Sequence, residues 1–280
     1  MNRLFIEPLC GLANRMRVIA SALEFKKQFG CEVFCIWSEN SELNAPFNKL
    51  FEDVDGLNFI PKSKKMKVLL PDFHPNFIVR LLAKISNKIL GFNHCIRAKD
   101  VHRLVDTNIL YDIVKNNKGA IYLRSYNIDY NWDTEHFNSV FRPKRAIMER
   151  IESIYSKFSR YSEVVGLHIR RTDNAIAIAN SPIELFINEI ENKIKDNDNA
   201  GFFLATDDKD TEDLLQKLYP GKIIVEQKNL NRDSLEGIQD AVVDMFALSK
   251  TSMIYGSYWS SFSTISGKIG GIECIRLQKT

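Results

Sequence analysis

Apolar positions along this 280-residue chain fall into short runs of four to six that alternate with stretches of helical period. "RLFIEP" (3–8) predicts a strand, followed by a turn at Gly11. The next segment sets Met16, Ile19, Ala20, Leu23 and Phe25 near one helical face and stops at Gly30. "CEVFCIW" (31–37) and "LNFI" (57–60) predict strands, and helices follow near 75–90 and 106–116. "GAIYLR" (119–124) is a further strand, and a helix opens at Pro143.

The second half is more regular. "EVVGLHI" (163–169), "GFFLATDD" (201–208), "KIIVE" (222–226), "SMIYGS" (252–257) and "ECIRL" (273–277) read as strands. Helices fall between them: one opening at Ser181, then 211–218, 235–250 and 261–271. Ser181-Pro182-Ile183-Glu184 predicts a serine N-cap, a proline at the first helical position and a glutamate closing a capping box. Apolar strands alternating with helices imply an α/β protein whose parallel sheets are covered on both faces. The helix at 143–161 is the natural joint between two Rossmann-like domains, 1–145 and 146–280.

Composition changes this picture little. Apolar content of 45% and charged content of 26% are ordinary for a globular chain, and a net charge of +3 is too small for a nucleic-acid binder. The charge is unevenly placed. Residues 1–150 carry 23 Lys and Arg against 16 Asp and Glu, a balance of +7, and residues 151–280 carry 15 against 19, a balance of −4. The five cysteines (Cys10, Cys31, Cys35, Cys95, Cys274) are odd in number and form no CxxC pair, which predicts reduced thiols in a reducing compartment. No run reaches 18 apolar residues and the first residues lack a signal-peptide stretch, so a cytoplasmic protein is expected.

In open parallel sheets, ligands bind beyond the carboxyl ends of the strands. Four strand ends here carry chemistry. The first reads His168-Ile-Arg-Arg-Thr-Asp173. A guanidinium holds two phosphate or carboxylate oxygens at once, and Arg170 shares its side of the strand with His168; a surface ion pair with Asp173 is the plainer alternative. The second is "CGLANR", Gly11, Leu12, Ala13, Asn14 and Arg15 following Cys10. Backbone amides at such a turn suit an anion, although neither a dinucleotide fingerprint nor a P-loop is present and a structural turn would look the same. The third is "ATDD", where Asp207 and Asp208 could take hydrogen bonds from a base or ribose, or Asp208 could cap the next helix. No third ligand stands nearby, so no metal site is expected. The fourth places Ser260 and Ser261 at a helix start, as phosphate contacts or as caps.

Together "HIRRTDNAIAIANSPIELF", "FFLATDDKDTEDLLQKLYP" and "VVDMFALSKTSMIYGSYWSSFS" resemble the three motifs of the GDP-fucose-dependent fucosyltransferases, most nearly the α1,6 branch. "GLANR" resembles the first-strand turn of the α1,2 and protein O-fucosyl branches. The resemblance covers most of 164–266 and the first thirty residues. It implies a GT-B fold, with two Rossmann-like domains facing across a cleft. It also implies an inverting, metal-independent transfer of fucose from GDP-fucose to a hydroxyl of a glycan. No cofactor would be needed beyond this nucleotide-sugar donor. By the same resemblance Arg170 would bind the β-phosphate and Arg171 would support it. His168 and Asp244 would meet the guanine end, Ser260 with Ser261 the phosphates, and the Gly11, Leu12 and Ala13 amides the pyrophosphate. Asp173 and Asp207 would organise the loop.

One position departs from the pattern. Ile178 stands where the α1,6 branch has its glutamate base, and Asn174 replaces a lysine. A carboxylate must then come from elsewhere. Glu7 is the first substitute, Glu39 the next, with 125–135 also in play. On the acceptor side, residues 76–90 place Arg80, Lys84 and Lys88 opposite Phe77, Ile78, Leu81, Leu82, Ile85 and Ile89. Such a helix either covers a sheet, the expectation preferred here, or lies on an anionic membrane. The second case would suit a lipid-linked glycan acceptor at the inner membrane face, in bacterial surface-polysaccharide assembly. The run 61–67 reads as a solvated loop. Phe73, Tyr126, Tyr130 and Trp132 offer sugar-stacking faces. The rival readings are the same scaffold with another nucleotide sugar, and a binder without catalysis.

Overall fold

The computed structural model describes residues 2–64, 66, 70, 72–130, 132–172, 175–226, 228 and 233–279. Asp173, Asn174, Lys65 and Lys67 lie outside the described residues. The chain forms two compact units, one from 1–48 and 53–141, the other from 49–52 and 142–280.

In the first unit, β1 (Arg3–Pro8), β2 (Glu32–Cys35), β3 (Leu57–Phe59), β4 (His94–Ile96) and β5 (Ala120–Ser125) form a parallel sheet in the order β3-β2-β1-β5-β4. Leu4, Ile6, Val33, Ile121 and Leu123 are fully buried, because helices cover both faces and leave no polar side to the strands. Those helices are α1 (Leu12–Phe29), α2 (Phe77–Ile89), α3 (Ala98–Asp106), α4 (Ile109–Asn116) and α5 (Thr134–Val140). The chain winds outward from β1 to β3, then returns on the other side, so the order reverses between β1 and β5.

The second unit repeats the plan. Its strands β6 (Glu163–Ile169), β7 (Ala200–Thr206), β8 (Ile223–Ile224), β9 (Ile254–Ser257) and β10 (Cys274–Leu277) are parallel, in the order β10-β9-β6-β7-β8. The reversal falls between β6 and β9. The helices are α6 (Arg145–Ser156), α7 (Ala175–Asn180), α8 (Ile183–Asp196), α9 (Lys209–Leu218), α10 (Leu235–Leu248) and α11 (Ser261–Gly270). Val165, Leu167, Ile169, Phe202 and Leu204 pack on Phe186 and Ile190 of α8. The alternation predicts the α/β class and the parallel sheets, and among the described residues each sheet has five strands.

Four details depart from the sequence expectations. β4, α3, α5 and α7 are additional elements; the segment expected as one helix from 106 is the end of α3 and the whole of α4. The helix expected to open at Ser181 begins at Ile183, with Pro182 in the cap position and no side-chain cap. The Ser181 hydroxyl instead donates to the Leu277 carbonyl and accepts from the Tyr258 amide, tying α8 to the β10 edge. Finally, α2 does not cover the sheet with its apolar stripe: Phe77, Ile78, Leu81, Leu82, Ile85 and Ile89 are exposed, and only Ala83 and Asn87 are buried. All five cysteines are free, and no described helix is long and apolar enough to cross a membrane.

Candidate functional site

The crevice at a sheet's reversal point is where a ligand meets strand ends and helix N-termini together. In the second unit it is bounded by the loops after β6 and β9. His168 stands opposite Gly256 in the ladder, so Arg170 and the Tyr258–Ser260 loop lie at one sheet edge. Ser257 joins the two loops: its hydroxyl accepts from the Arg170 amide at 3.0 Å and donates to the His168 carbonyl at 3.3 Å. His168 is buried, its ring stacked on Phe262 of α11 with centroids 4.8 Å apart. Gly256 lets Ser263 of α11 come close to β9, since a Cβ there would lie 2.4 Å from the Ser263 hydroxyl.

The two arginines have different fates. Arg170 is half-buried at the mouth of β6. Arg171 turns into the protein, donating from Nη1 to the Ser181 carbonyl at 2.8 Å and to the Arg170 carbonyl at 3.3 Å. Burial holds its proton affinity below the ordinary value, while Asp207, Asp208 and Glu184 pull the other way. Asp207 accepts from the Arg171 amide at 2.7 Å and the Thr172 hydroxyl at 2.8 Å, which makes it the brace of the Arg170–Thr172 loop. Asp208 is spent on α9, accepting from the Thr211 amide at 2.9 Å and its hydroxyl at 2.6 Å. It caps a helix through Oδ2, the plainer of the two roles expected for it.

Ser260 occupies the cap position of α11 but makes no cap hydrogen bond. Its hydroxyl is buried and meets no partner among the described residues. Ser261 opens the helix beside it. The uncapped first turn of α11 and this orphan hydroxyl put donors suited to an anion side by side. Deeper in the unit, the Asp244 carboxylate of α10 pairs with Lys228. Burial pushes the Asp244 carboxyl up to about 6 against the pull of Lys228, and no described donor meets its Oδ1.

The first unit carries the other turn. Cys10, not Gly11, is the left-handed residue, with φ of 64°. Gly11 has φ of −72° and ψ of 176°, a conformation open to any residue, and a Cβ there would meet nothing within 4 Å. Leu12 and Ala13 are buried, and no side chain caps α1. Asn14 Oδ1 accepts from Arg17 at 2.6 Å. Arg15 is fully buried, so it is not a donor-binding residue in this conformation. Its guanidinium donates to the carbonyls of Cys10 and Ser38 and to Asn40 Oδ1, and lies over Trp37. It fixes the turn from beneath.

Glu7 also departs from its expected role. It is buried, with Lys62 at 2.8 Å, Arg124 at 3.2 Å and the Tyr122 hydroxyl on its two oxygens. Three partners thus hold the Glu7 carboxylate, two on Oε2 and one on Oε1. Glu39 is exposed, on the loop that Arg15 pins through Ser38 and Asn40. Of the aromatic candidates, Trp132 packs on Phe137 and Tyr130 on Phe25 and Tyr111, whereas Tyr126 remains exposed. Ser257, Phe262 and Lys228 carry no signal in the pattern; the last position of a strand before a loop is the one hint for Ser257.

Known structures repeat this architecture. Fucosyltransferase NodZ from Bradyrhizobium is 18% identical over 95% of this chain and 92% of its own, with a TM-score of 0.64. A mutant of Arabidopsis thaliana FUT1 in complex with GDP is 13% identical over 98% and 70%, with a TM-score of 0.64. POFUT1 in complex with GDP is 11% identical over 99% and 98%, with a TM-score of 0.56. This chain has the fucosyltransferase fold. NodZ is also known soaked with GDP-fucose. No family model matches the sequence, and no curated protein matches it either. Within this fold the described residues include no group of three or more His, Cys, Asp or Glu arranged around a metal position.

Proposed function

We propose that this protein is an inverting, metal-independent glycosyltransferase that moves fucose from GDP-fucose to a hydroxyl of a glycan or lipid-linked glycan, in the cytoplasm. The carrying observation is the crevice between β6 and β9, where the Arg170 amide is tied to Ser257 and the loop after β9 leads to the unpartnered Ser260 hydroxyl and the uncapped start of α11. The fold supports the same reading, since fucosyltransferases that share it hold GDP or GDP-fucose.

The second unit is the nucleotide-sugar side and the first unit the acceptor side. As the bond between fucose C1 and the β-phosphate oxygen breaks, negative charge collects on the departing GDP. Arg170, on an edge braced by Ser257 and Asp207, stabilises that charge as it develops. Ser260 and the first turn of α11 take phosphate oxygens. His168, fixed against Phe262, and the open Oδ1 of Asp244 serve the guanine end. In the first unit, the Gly11 turn leaves the first amides of α1 without a side-chain cap, a second anion-compatible point. The acceptor oxygen attacks C1 from the opposite face and gives its proton to a carboxylate, and Glu39 takes that part in place of the occupied Glu7.

Calorimetry with GDP, UDP and ADP, with and without chelator, tests the donor. Tight binding of GDP alone, unchanged by chelator, is expected. Slow release of fucose from GDP-fucose without acceptor, lost in Arg170→Ala, tests catalysis. GDP affinity without turnover would make the protein a binder, and Arg170→Ala with full turnover would remove Arg170 from the site.

A further inference from the structure

Helix α2 is mounted the reverse way from an ordinary surface helix. Asn87, fully buried, anchors it by donating to the Leu70 carbonyl at 2.9 Å and to Asp72 Oδ1 at 2.8 Å. The apolar side then faces outward, with Phe77 68% and Ile89 79% exposed and Ile78, Leu81, Leu82 and Ile85 about half or more open. Arg80, Lys84 and Lys88 lie along its flank. The helix has no acidic residue.

Charge follows the same division. Residues 61–104 hold ten Lys and Arg against two acids, a balance of +8 in a chain whose total is +3. Both acids are withdrawn from the surface: Asp72 is spent on Asn87 and the Cys95 amide, and Asp100 is buried. The described surface of this segment therefore shows cations and hydrocarbon without carboxylate. A groove of about 1150 Å³ runs along the helix, and Phe77, Leu81, Arg80, Lys84, Lys88 and Arg103 line it together.

We propose that this face docks on a bilayer rich in anionic phospholipid, with the apolar side of α2 in the headgroup–acyl boundary and the cations on lipid phosphates. Hydrocarbon rimmed by like-signed cations is the signature of an interfacial helix, whereas a partner helix would need carboxylates placed to match. A second copy of the chain is disfavoured, because pairing two such faces would bring Arg80, Lys84 and Lys88 of one against the same cations of the other with no carboxylate on either helix. The assignment concerns the first unit alone and stands apart from the donor chemistry.

The test is flotation of the full chain with vesicles of phosphatidylglycerol and phosphatidylcholine, against phosphatidylcholine alone. Binding to the anionic vesicles only, weakened by salt, is expected. The Arg80→Gln, Lys84→Gln, Lys88→Gln triple variant should bind about a hundredfold more weakly. The Leu81→Ser, Leu82→Ser, Ile85→Ser variant should lose binding while keeping its thermal transition, since these side chains are already exposed. Equal binding to both vesicle types, no binding at all, or identical behaviour of the variants would overturn the proposal. So would a concentration-dependent dimer that the serine variant abolishes.

Discussion

Ser260→Ala separates a waiting ligand contact from an ordinary cap, because the two roles predict stability changes of opposite sign. The hydroxyl is buried, makes no cap bond to α11 and has no described partner. A buried hydroxyl left unpaired costs about 1–3 kcal/mol. Removing it should leave the ligand-free protein as stable as before or more so, by up to that amount, with about 2–4 °C in Tm per kcal/mol. The backbone is untouched, so the Ser260 carbonyl still accepts from Thr264 at 3.3 Å. Binding should move the other way. A hydroxyl bonded to a phosphate oxygen contributes about 1.5–3 kcal/mol, so Kd for GDP should rise about tenfold to a hundredfold. Scanning calorimetry without ligand and titration calorimetry with GDP give the two numbers independently. A variant destabilised by about 1 kcal/mol, as when a true N-cap is lost, with unaltered GDP affinity would refute the reasoning.

Gly11→Ala should leave stability within about 0.5 kcal/mol, since φ is ordinary and the Cβ meets open space, and should weaken GDP binding if the pyrophosphate fills that space; unchanged affinity would leave the turn purely structural. Glu7→Gln should cost about 2–3 kcal/mol in urea unfolding, less than for a fully buried pair because Lys62 and Arg124 are partly open to water. Full stability with lost turnover would instead return Glu7 to the base role. Asp244 gives a pH signature. Its folded-state value of about 6 lies above the ordinary 3.8, so the native state keeps a proton that the unfolded chain releases between them. Stability relative to Asp244→Asn should therefore fall by about 3 kcal/mol as pH rises from about 4 to 6; parallel curves for the two proteins would contradict it.

The strands were legible because they are buried on both faces: runs such as Val164–Ile169 have no polar side to break them. The elements that escaped lack that signal. β4 is three residues long, too short to show a period, and α7 spells Ala-Ile-Ala-Ile, an alternation proper to a strand. The amphipathicity of α2 was plain, but amphipathicity does not say which side is anchored, and a single buried Asn87 decides it. The site divides in the same way. Sequence located the strand-end clusters, because a parallel sheet delivers ligand contacts at its carboxyl edge. Strand alternation set Arg170 apart from Arg171, but nothing in the pattern showed that Arg15 is buried, since that depends on the Cys10 and Ser38 carbonyls brought to its guanidinium.

The two reversal-point loops share a construction that argues for a common purpose. Three described non-glycine residues have positive φ: Cys10, Asn108 and Trp259. Asparagine enters that region readily, but cysteine and tryptophan do so at a cost of about 1–2 kcal/mol. Cys10 directly precedes the cap position of α1 and Trp259 that of α11, and neither helix has a side-chain cap. Side chains cap α2, α5, α9 and α10, at Asn76, Asp133, Asp208 and Ser234, and α3, α4, α6 and α8 go without; among the described residues only α1 and α11 combine an uncapped start with a positive-φ residue just before the cap position. So two helix starts with free amides are each entered through a strained residue, and both lie at the carboxyl edge of a switch-point strand. Arg15 on the Cys10 carbonyl and Ser181 on the Tyr258 amide hold those turns in place. Strain maintained by such dedicated bonds is expected where the backbone itself must present donors to a ligand. Each helix start thus offers fixed backbone donors at its own sheet edge, and Arg170 follows the strand paired with the one that leads into α11.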